Sequence, residues 1–279
     1  MSSPILDNHL HLDPDHGRGM EAVADFARSG GTHLLVVNKP SWQLGVDVET
    51  GADFRAVFDR TVAVVEDASA ELTGRAWAVL GVHPALISRL VDDRGLTPDR
   101  AAELMQAGLD VAATYAAEGT AVALKSGRPH YEVTEAVWDA SNDVLRHALS
   151  LGAETGVPVQ LHTEATDDLS TVGAWAEAVG LPSDQVVKHF AEGPCAGVTP
   201  SVIARKAALE AAIDADVPFM METDFIDDPD RPGAVLGPKT VPRRVDWLRE
   251  QGYDDVIERA HVESPRRVYG IDTEATLND

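Results

Sequence analysis

"TAVALKSGR" (Thr120–Arg128) starts like a buried strand and ends on a cation, Lys125. It lies between two long helical patterns, "TPDRAAELMQAGLDVAATYAAEG" (97–119) and "VTEAVWDASNDVLRHALSLGAETG" (133–156). Thr97 is suited to cap the first, with Pro98 at its first turn, and Gly156 is suited to end the second. Helix, buried strand, helix is the repeating unit of a parallel sheet with crossover helices.

Seven further strand candidates extend the pattern in both directions. They are "ILDNHLHL" (5–12), "HLLVVNK" (33–39), "RAWAVLGVHP" (75–84), "PVQLHTE" (158–164), "QVVKHFAE" (185–192), "GVTPSVIA" (197–204) and "PFMMETDF" (218–225). Eight strands alternating with helices predict an α/β fold, a (β/α)8 TIM barrel. No helix is evident between strands six and seven, so the barrel is expected to be irregular there. "VPRRVDWLREQGYDDVIERAHVESPRRVYG" (241–270) reads as extra C-terminal helices packed outside it, and "IDTEATLND" as a polar, frayed tail. With no repeat or linker, residues 1–279 are expected to form a single domain.

Composition narrows the class. The lone cysteine, Cys195, permits no internal disulfide, which fits a reducing compartment. The N-terminal residues lack a secretory pattern, and no run is long enough to span a bilayer. A soluble, cytoplasmic protein with no membrane association is expected. Asp and Glu total 46 against 23 Lys and Arg, a net charge of −23, and only Lys39, Lys125, Lys188, Lys206 and Lys239 are lysines. Acid dispersed over helices and loops, with scarce lysine, resembles proteins of salt-loving archaea, kept soluble by surface charge.

The chemistry lies at the strand ends. Strand one ends in His9 and His11, strand three in His83, strand four in Lys125, strand five in His162, strand six in His189 and strand eight in Asp224. In such a barrel these ends form the active-site face. His9 and His11 are two apart, so alternation points both to one side, with Asp7 deeper on the same side. Two imidazoles on one side suit a metal, and an Asp7 carboxylate could orient a ligand. Gln160, Glu164 and Glu222 share the inward faces of their strands. Val187, His189 and Ala191 are read inward on strand six, leaving Lys188 to snorkel past the helices.

The His-x-His at strand one, single histidines at strands five and six, and Asp at strand eight resemble the amidohydrolase superfamily of barrel metallohydrolases. More narrowly, "DNHLHLD", "GVHP", "METD" and "SPRRVYG" are similar to the motifs of TatD-related hydrolases, which include metal-dependent deoxyribonucleases. The resemblance implies that His9, His11, His162, His189 and Asp224 are metal ligands and that His83 faces the substrate. One position departs. TatD-related enzymes carry a glutamate at the end of strand four, where it bridges two metals; here Lys125 stands there. A protonated lysine would be repelled by two divalent cations, whereas a neutral amine can add carbon dioxide and become an anionic, bridging carbamate. Phosphotriesterase-like members of the superfamily carry such a carboxylated lysine. Lys125 is therefore read as a carboxylated bridge, as an unmodified anion-binding lysine, or as a residue outside the site.

These expectations combine into a binuclear metallohydrolase. Nitrogen-rich ligation suits two Zn²⁺, Mn²⁺ or Co²⁺ ions better than Mg²⁺. A hydroxide bridging the metals would attack, with Asp224 as proton acceptor and His83, Arg128 and His130 gripping a phosphate. The bond is expected to be a phosphoester, as in a nuclease or phosphodiesterase. A phosphotriesterase-like, lactonase or amidase activity on a small molecule is the alternative, and a metal-binding protein without catalysis the third reading. The charge of −23 repels a nucleic acid, and only Lys239, Arg243 and Arg244 suggest a small basic rim. No protein partner can be inferred.

Overall fold

The computed structural model describes residues 3–233 and 235–278. Its core is one parallel sheet: β1 (Leu6–His11), β2 (His33–Val37), β3 (Ala76–Gly81), β4 (Ala121–Gly127), β5 (Val159–His162), β6 (Val186–Ala191), β7 (Thr199–Ile203), β8 (Met220–Glu222) and β9 (Phe225–Ile226). Each strand pairs with the next through β8, and β9 pairs with β1. The expected eighth strand is therefore split. Its first part extends the sheet from β7 and its second part joins β1, so the sheet closes on itself as a TIM barrel. The kink falls at Asp224, whose backbone is left-handed (φ 47°) and whose N–H donates to the His9 carbonyl at 2.9 Å.

The flanking helices form as the sequence predicts. Thr97 and Thr134 cap Pro98–Ala117 and Glu135–Thr155 by accepting from Arg100 N and Val137 N, and Gly156 ends the latter in the left-handed conformation. Their inner faces bury Leu109, Val144 and Leu149 against Leu80, Leu124 and Leu161 of the barrel's outer surface. Residues 192–198, between β6 and β7, contain no helix.

Two expectations about the C-terminal region need correction. Helix Thr240–Glu250 does pack outside, but the chain then returns beneath the barrel. Ile271 packs with Leu6, Leu35, Val37, Val79 and Ala123, and the Tyr269 hydroxyl bonds the Gln160 amide at 2.9 Å. The tail is not frayed over its described length. Ile271 and Thr273 are buried, and Thr276 Oγ1 lies 2.9 Å from His33 Nε2. This segment closes the floor of the barrel, which the small residue Ala123 leaves room to fill.

Candidate metal centre

Side-chain alternation along β1 is broken. Leu6 and Asp7 pair with His33 and Leu34, but Leu10 pairs with Val36, so one extra residue bulges out between Asp7 and Leu10. Asp7 therefore does not share the face of His9 and His11 and orients neither ring. Its carboxylate accepts from Thr223 N (3.0 Å), Thr223 Oγ1 (2.6 Å) and His9 N (3.3 Å), tying β1 to the residue before Asp224. Burial pushes the Asp7 carboxyl up to about 7 despite these bonds.

Both β1 imidazoles are set by a bond from Nδ1. His9 Nδ1 lies 2.7 Å from Gln160 Oε1, and the Gln160 amide is fixed in turn because its NH2 donates to Asn8 O and to Tyr269. His11 Nδ1 lies 2.9 Å from the Val37 carbonyl. Each Nδ1 must donate to these acceptors, which leaves each Nε2 as an unprotonated acceptor. Those two nitrogens lie 3.8 and 3.9 Å from Asp224 Oδ1. Three donors so arranged can hold a cation, and their orientation by outer partners is what metal ligands require.

A second set faces the first. His189 stacks on His9 with ring centroids 4.1 Å apart, and its Nε2 lies 2.8 Å from His162 Nδ1. Its other nitrogen, Nδ1, is 3.3 Å from Glu222 Oε1. Glu222 is wholly buried and also accepts from Phe190 N at 2.7 Å and from the Ser201 hydroxyl, which receives Asn8 Nδ2 at 2.9 Å. The Phe190 N–H reaches Glu222 from a left-handed backbone (φ 54°), an uncommon conformation for an aromatic residue. A bulge between Lys188 and Ala191 accompanies it. Ala191 is thereby turned into the outer cluster with Val202 and Leu209 rather than inward as expected.

His130, His162, His189 and Glu222 can form one directional chain, each Nδ1–H donating to the next residue. Binding a cation through His162 Nδ1 requires that proton to move to Nε2 and donate to His130 instead. The imidazole pair can switch between these states by tautomerising without gaining charge.

Lys125 does lie inside. It is 3% exposed, and its Nζ is 3.1 Å from His9 Nε2. Gly81 makes this approach possible, since a Cβ there would lie 1.8 Å from the Lys125 carbonyl oxygen. Burial pushes the enclosed groups of the centre toward neutrality: His9, His11, His83, His162, His189, Lys125, Glu222 and Asp224. His11 falls to about 3; His9, His83, His162 and His189 fall well below their ordinary value. Burial likewise lowers the Lys125 ammonium, against the attraction of Asp224 and Glu222, and raises the carboxyls of Glu222 and Asp224. Neutral imidazoles beside buried carboxyls are what a divalent cation would compensate, because its charge draws both into their binding forms.

At the mouth, His83 accepts the Ala85 N–H on Nδ1 at 3.1 Å, so its Nε2–H is left to face outward from that bond. Its ring lies 4.8 Å from that of His162. Arg128 is near but occupied: its guanidinium clamps Glu164, donates to Asn142 Oδ1 at 3.1 Å and lies over Trp138. Lys188 does not snorkel. It is 4% exposed and braces the turn after β5 through Thr163 Oγ1 and the Glu164 carbonyl, both at 3.1 Å. Two of the three rim cations are engaged, Lys239 with Asp25 at 3.1 Å and Arg244 with the Ala204 carbonyl at 3.0 Å, and Arg243 is exposed.

The structure thus brings together His9, His11, His83, Lys125, His130, His162, His189 and Asp224. Gln160 and Glu222 gain roles that residue type alone did not assign. Each stands two residues before a candidate ligand, and that spacing was the available signal.

The chain is similar to several known proteins. An uncharacterized protein of Methanocaldococcus jannaschii, MJ1127, is 34% identical over 285 aligned positions, covering 98% of each chain. The phosphotriesterase homology protein of Escherichia coli, solved with phosphate in its active site, superposes with a TM-score of 0.63 at 14% identity, covering 96% of this chain and 99% of that one. A lactonase of Listeria monocytogenes superposes with a TM-score of 0.57 at 15% identity, over 96% and 95%. These solved structures share the fold. No helix among the described residues is long and apolar enough to cross a membrane. The family described as TatD related DNase matches residues 6–270, from the first strand to the glycine after Tyr269, and the chain belongs to that family of hydrolases.

Proposed function

We propose that the chain is a divalent-metal-dependent hydrolase of phosphoester bonds whose two metal positions are bridged by a carboxylated Lys125. The observation that carries this reading is the meeting of two preset donor sets at one lysine. His9, His11 and Asp224 would hold one ion and His162 and His189 the other, with Zn²⁺, Mn²⁺ or Co²⁺ favoured by the nitrogen donors. Bound ions would supply Lewis-acid activation of water and of the scissile group.

The chain's own residues do the rest. The Lys125 amine, whose ammonium form burial disfavours, adds in its neutral form to the carbon of CO2 and loses a proton, giving an anion with two donor oxygens. Asp224 accepts the proton of the attacking water. The Nε2–H of His83 and the exposed ring of His130 orient the anionic ester at the mouth. The E. coli structural neighbour holds phosphate in its active site, and the family name refers to cleavage of DNA; both support a phosphoester substrate. The net charge of −23 and the engagement of Lys239 and Arg244 favour a small ester over a long polyanion. A lactone is the second reading, supported by the lactonase among the structural neighbours.

The test is turnover of bis(p-nitrophenyl) phosphate in molar KCl with Mn²⁺, beside metal analysis. Metal-dependent turnover that disappears in His162→Ala is expected. A metal-loaded protein inert toward phosphodiesters but active on lactones would reverse the substrate assignment, and inertness toward both would leave a metal-binding protein.

A further inference from the structure

Beside the candidate metal centre lies a groove of about 680 Å³, walled by His130, Tyr131, Trp138, Glu132, Glu135 and Glu164. It opens directly from the donor set, since His130 also lies 2.8 Å from His162 Nε2. Two aromatic rings line it. Tyr131, 40% exposed, is held in place by donating its hydroxyl to Ser88 Oγ at 2.9 Å. Trp138 is half-buried, with the Arg128 guanidinium 4.7 Å from its ring centroid. That guanidinium is neutralised by Glu164. Glu132 and Glu135 are exposed, and neither enters an ion pair among the described residues. The groove is therefore aromatic, anionic and adjacent to the reacting centre.

We propose that this groove seats an ammonium group of the substrate, so that the enzyme cleaves small phosphoesters bearing a quaternary ammonium substituent. The proposal rests on the hydrolase reading above. A quaternary ammonium is weakly hydrated, is attracted to the faces of tyrosine and tryptophan, and gains further from two unpaired carboxylates. A nucleic acid would instead bring phosphates toward Glu132 and Glu135. Three cations around the centre are engaged, Lys39 with Asp13 at 2.7 Å, Arg128 with Glu164 and Lys239 with Asp25, which leaves exposed Arg231, near Asp224, to meet a single phosphate.

A matched pair of esters isolates the charge: p-nitrophenyl phosphocholine and 3,3-dimethylbutyl p-nitrophenyl phosphate, which differ by nitrogen for carbon. In each, water adds to phosphorus, the bond to p-nitrophenolate breaks, and the alkyl phosphate is released. The metal-loaded protein, at the lowest salt that keeps it folded, is expected to show about a tenfold lower KM for the choline ester. That ratio should fall toward one in Glu132→Gln/Glu135→Gln. Equal KM values in the wild type would overturn the proposal. If neither ester is cleaved, the phosphoester reading fails and binding decides whether the groove seats an ammonium group. Choline and 3,3-dimethylbutanol are then titrated against tryptophan fluorescence, with Trp138→Phe as the control. Choline binding tighter than the alcohol and weakened in the double variant sustains the groove as an ammonium site and overturns only the cleavage; equal binding refutes both.

Discussion

Replacing Glu222 by glutamine separates what the fold needs from what the metal centre needs. Glu222 is wholly buried, and its oxygens accept from Phe190 N, His189 Nδ1 and the Ser201 hydroxyl. Glutamine keeps the shape. Its carbonyl can still receive Phe190, and its amide can donate to Ser201. What disappears is the negative charge facing His189. Loss of such an outer partner weakens metal binding by roughly 10- to 100-fold, about 1.4–2.7 kcal/mol. Without metal the sign reverses. Burial holds the Glu222 carboxyl well above its ordinary value of 4.5. Below that pH both folded and unfolded chains carry the proton, and ionisation has no effect on stability. As pH rises past it, only the unfolded chain releases the proton, and stability falls by about 1.4 kcal/mol per pH unit until the folded group titrates. Glutamine removes that loss. At pH 8 the metal-free variant should therefore melt above the metal-free wild type while binding Zn²⁺ or Mn²⁺ more weakly in chelator competition. Unchanged metal affinity, or a metal-free variant that melts lower, would refute the assignment of Glu222 as the carboxylate that orients His189.

Other outcomes follow from single features. The melting temperature should climb strongly between ~0.1 M and ~3 M KCl, because molar salt shortens the screening length to about 3 Å; a flat profile would mean that the acid surface is not salt-adapted. Three of the five lysines, Lys39, Lys125 and Lys188, are buried, which leaves the surface still poorer in compensating charge. His261 accepts the Leu6 N–H on Nδ1 at 3.0 Å, and burial pushes it down to about 3. It is neutral when folded and charged when unfolded in acid, so its contribution is complete above pH 6.5 and is lost at about 1.4 kcal/mol per pH unit below that. His261→Asn keeps an acceptor without the titration and should lower the midpoint of acid unfolding; an unmoved midpoint would discount His261. Gly81→Ala forces β3 and β4 apart at Lys125 and should cost about 3 kcal/mol in denaturant unfolding, and wild-type stability would show that the strands do not need this close approach.

The strand ends were legible because a barrel puts its chemistry where apolar runs stop, and His9, His11, Lys125, His162, His189 and Asp224 all stop such runs. What alternation could not foresee were the bulges. One extra residue between Asp7 and Leu10 removed Asp7 from the face of His9 and His11, and another beside Phe190 turned Ala191 outward. A bulge is set by what the neighbouring strand offers, here the Thr223 and Glu222 side chains and backbone, and not by local sequence period. Lys188 and Arg128 were misplaced for a related reason. Their partners, Thr163 and Glu164 in the turn after β5 and Asn142 on helix Glu135–Thr155, lie far from them in sequence. The tail looked frayed because its composition is polar, yet Ile271 and Thr273 are buried beneath the barrel.

The central claim is that Lys125 bridges two metals as a carbamate. It is tested most directly by carbon NMR of protein loaded with metal in ¹³C-bicarbonate, using diamagnetic Zn²⁺, with metal content measured on the same sample. A carbamate resonance with two zinc ions per chain, both lost in Lys125→Ala, is expected. Wild-type protein with no carbamate signal, or a Lys125→Ala variant that keeps two ions per chain, would contradict the claim.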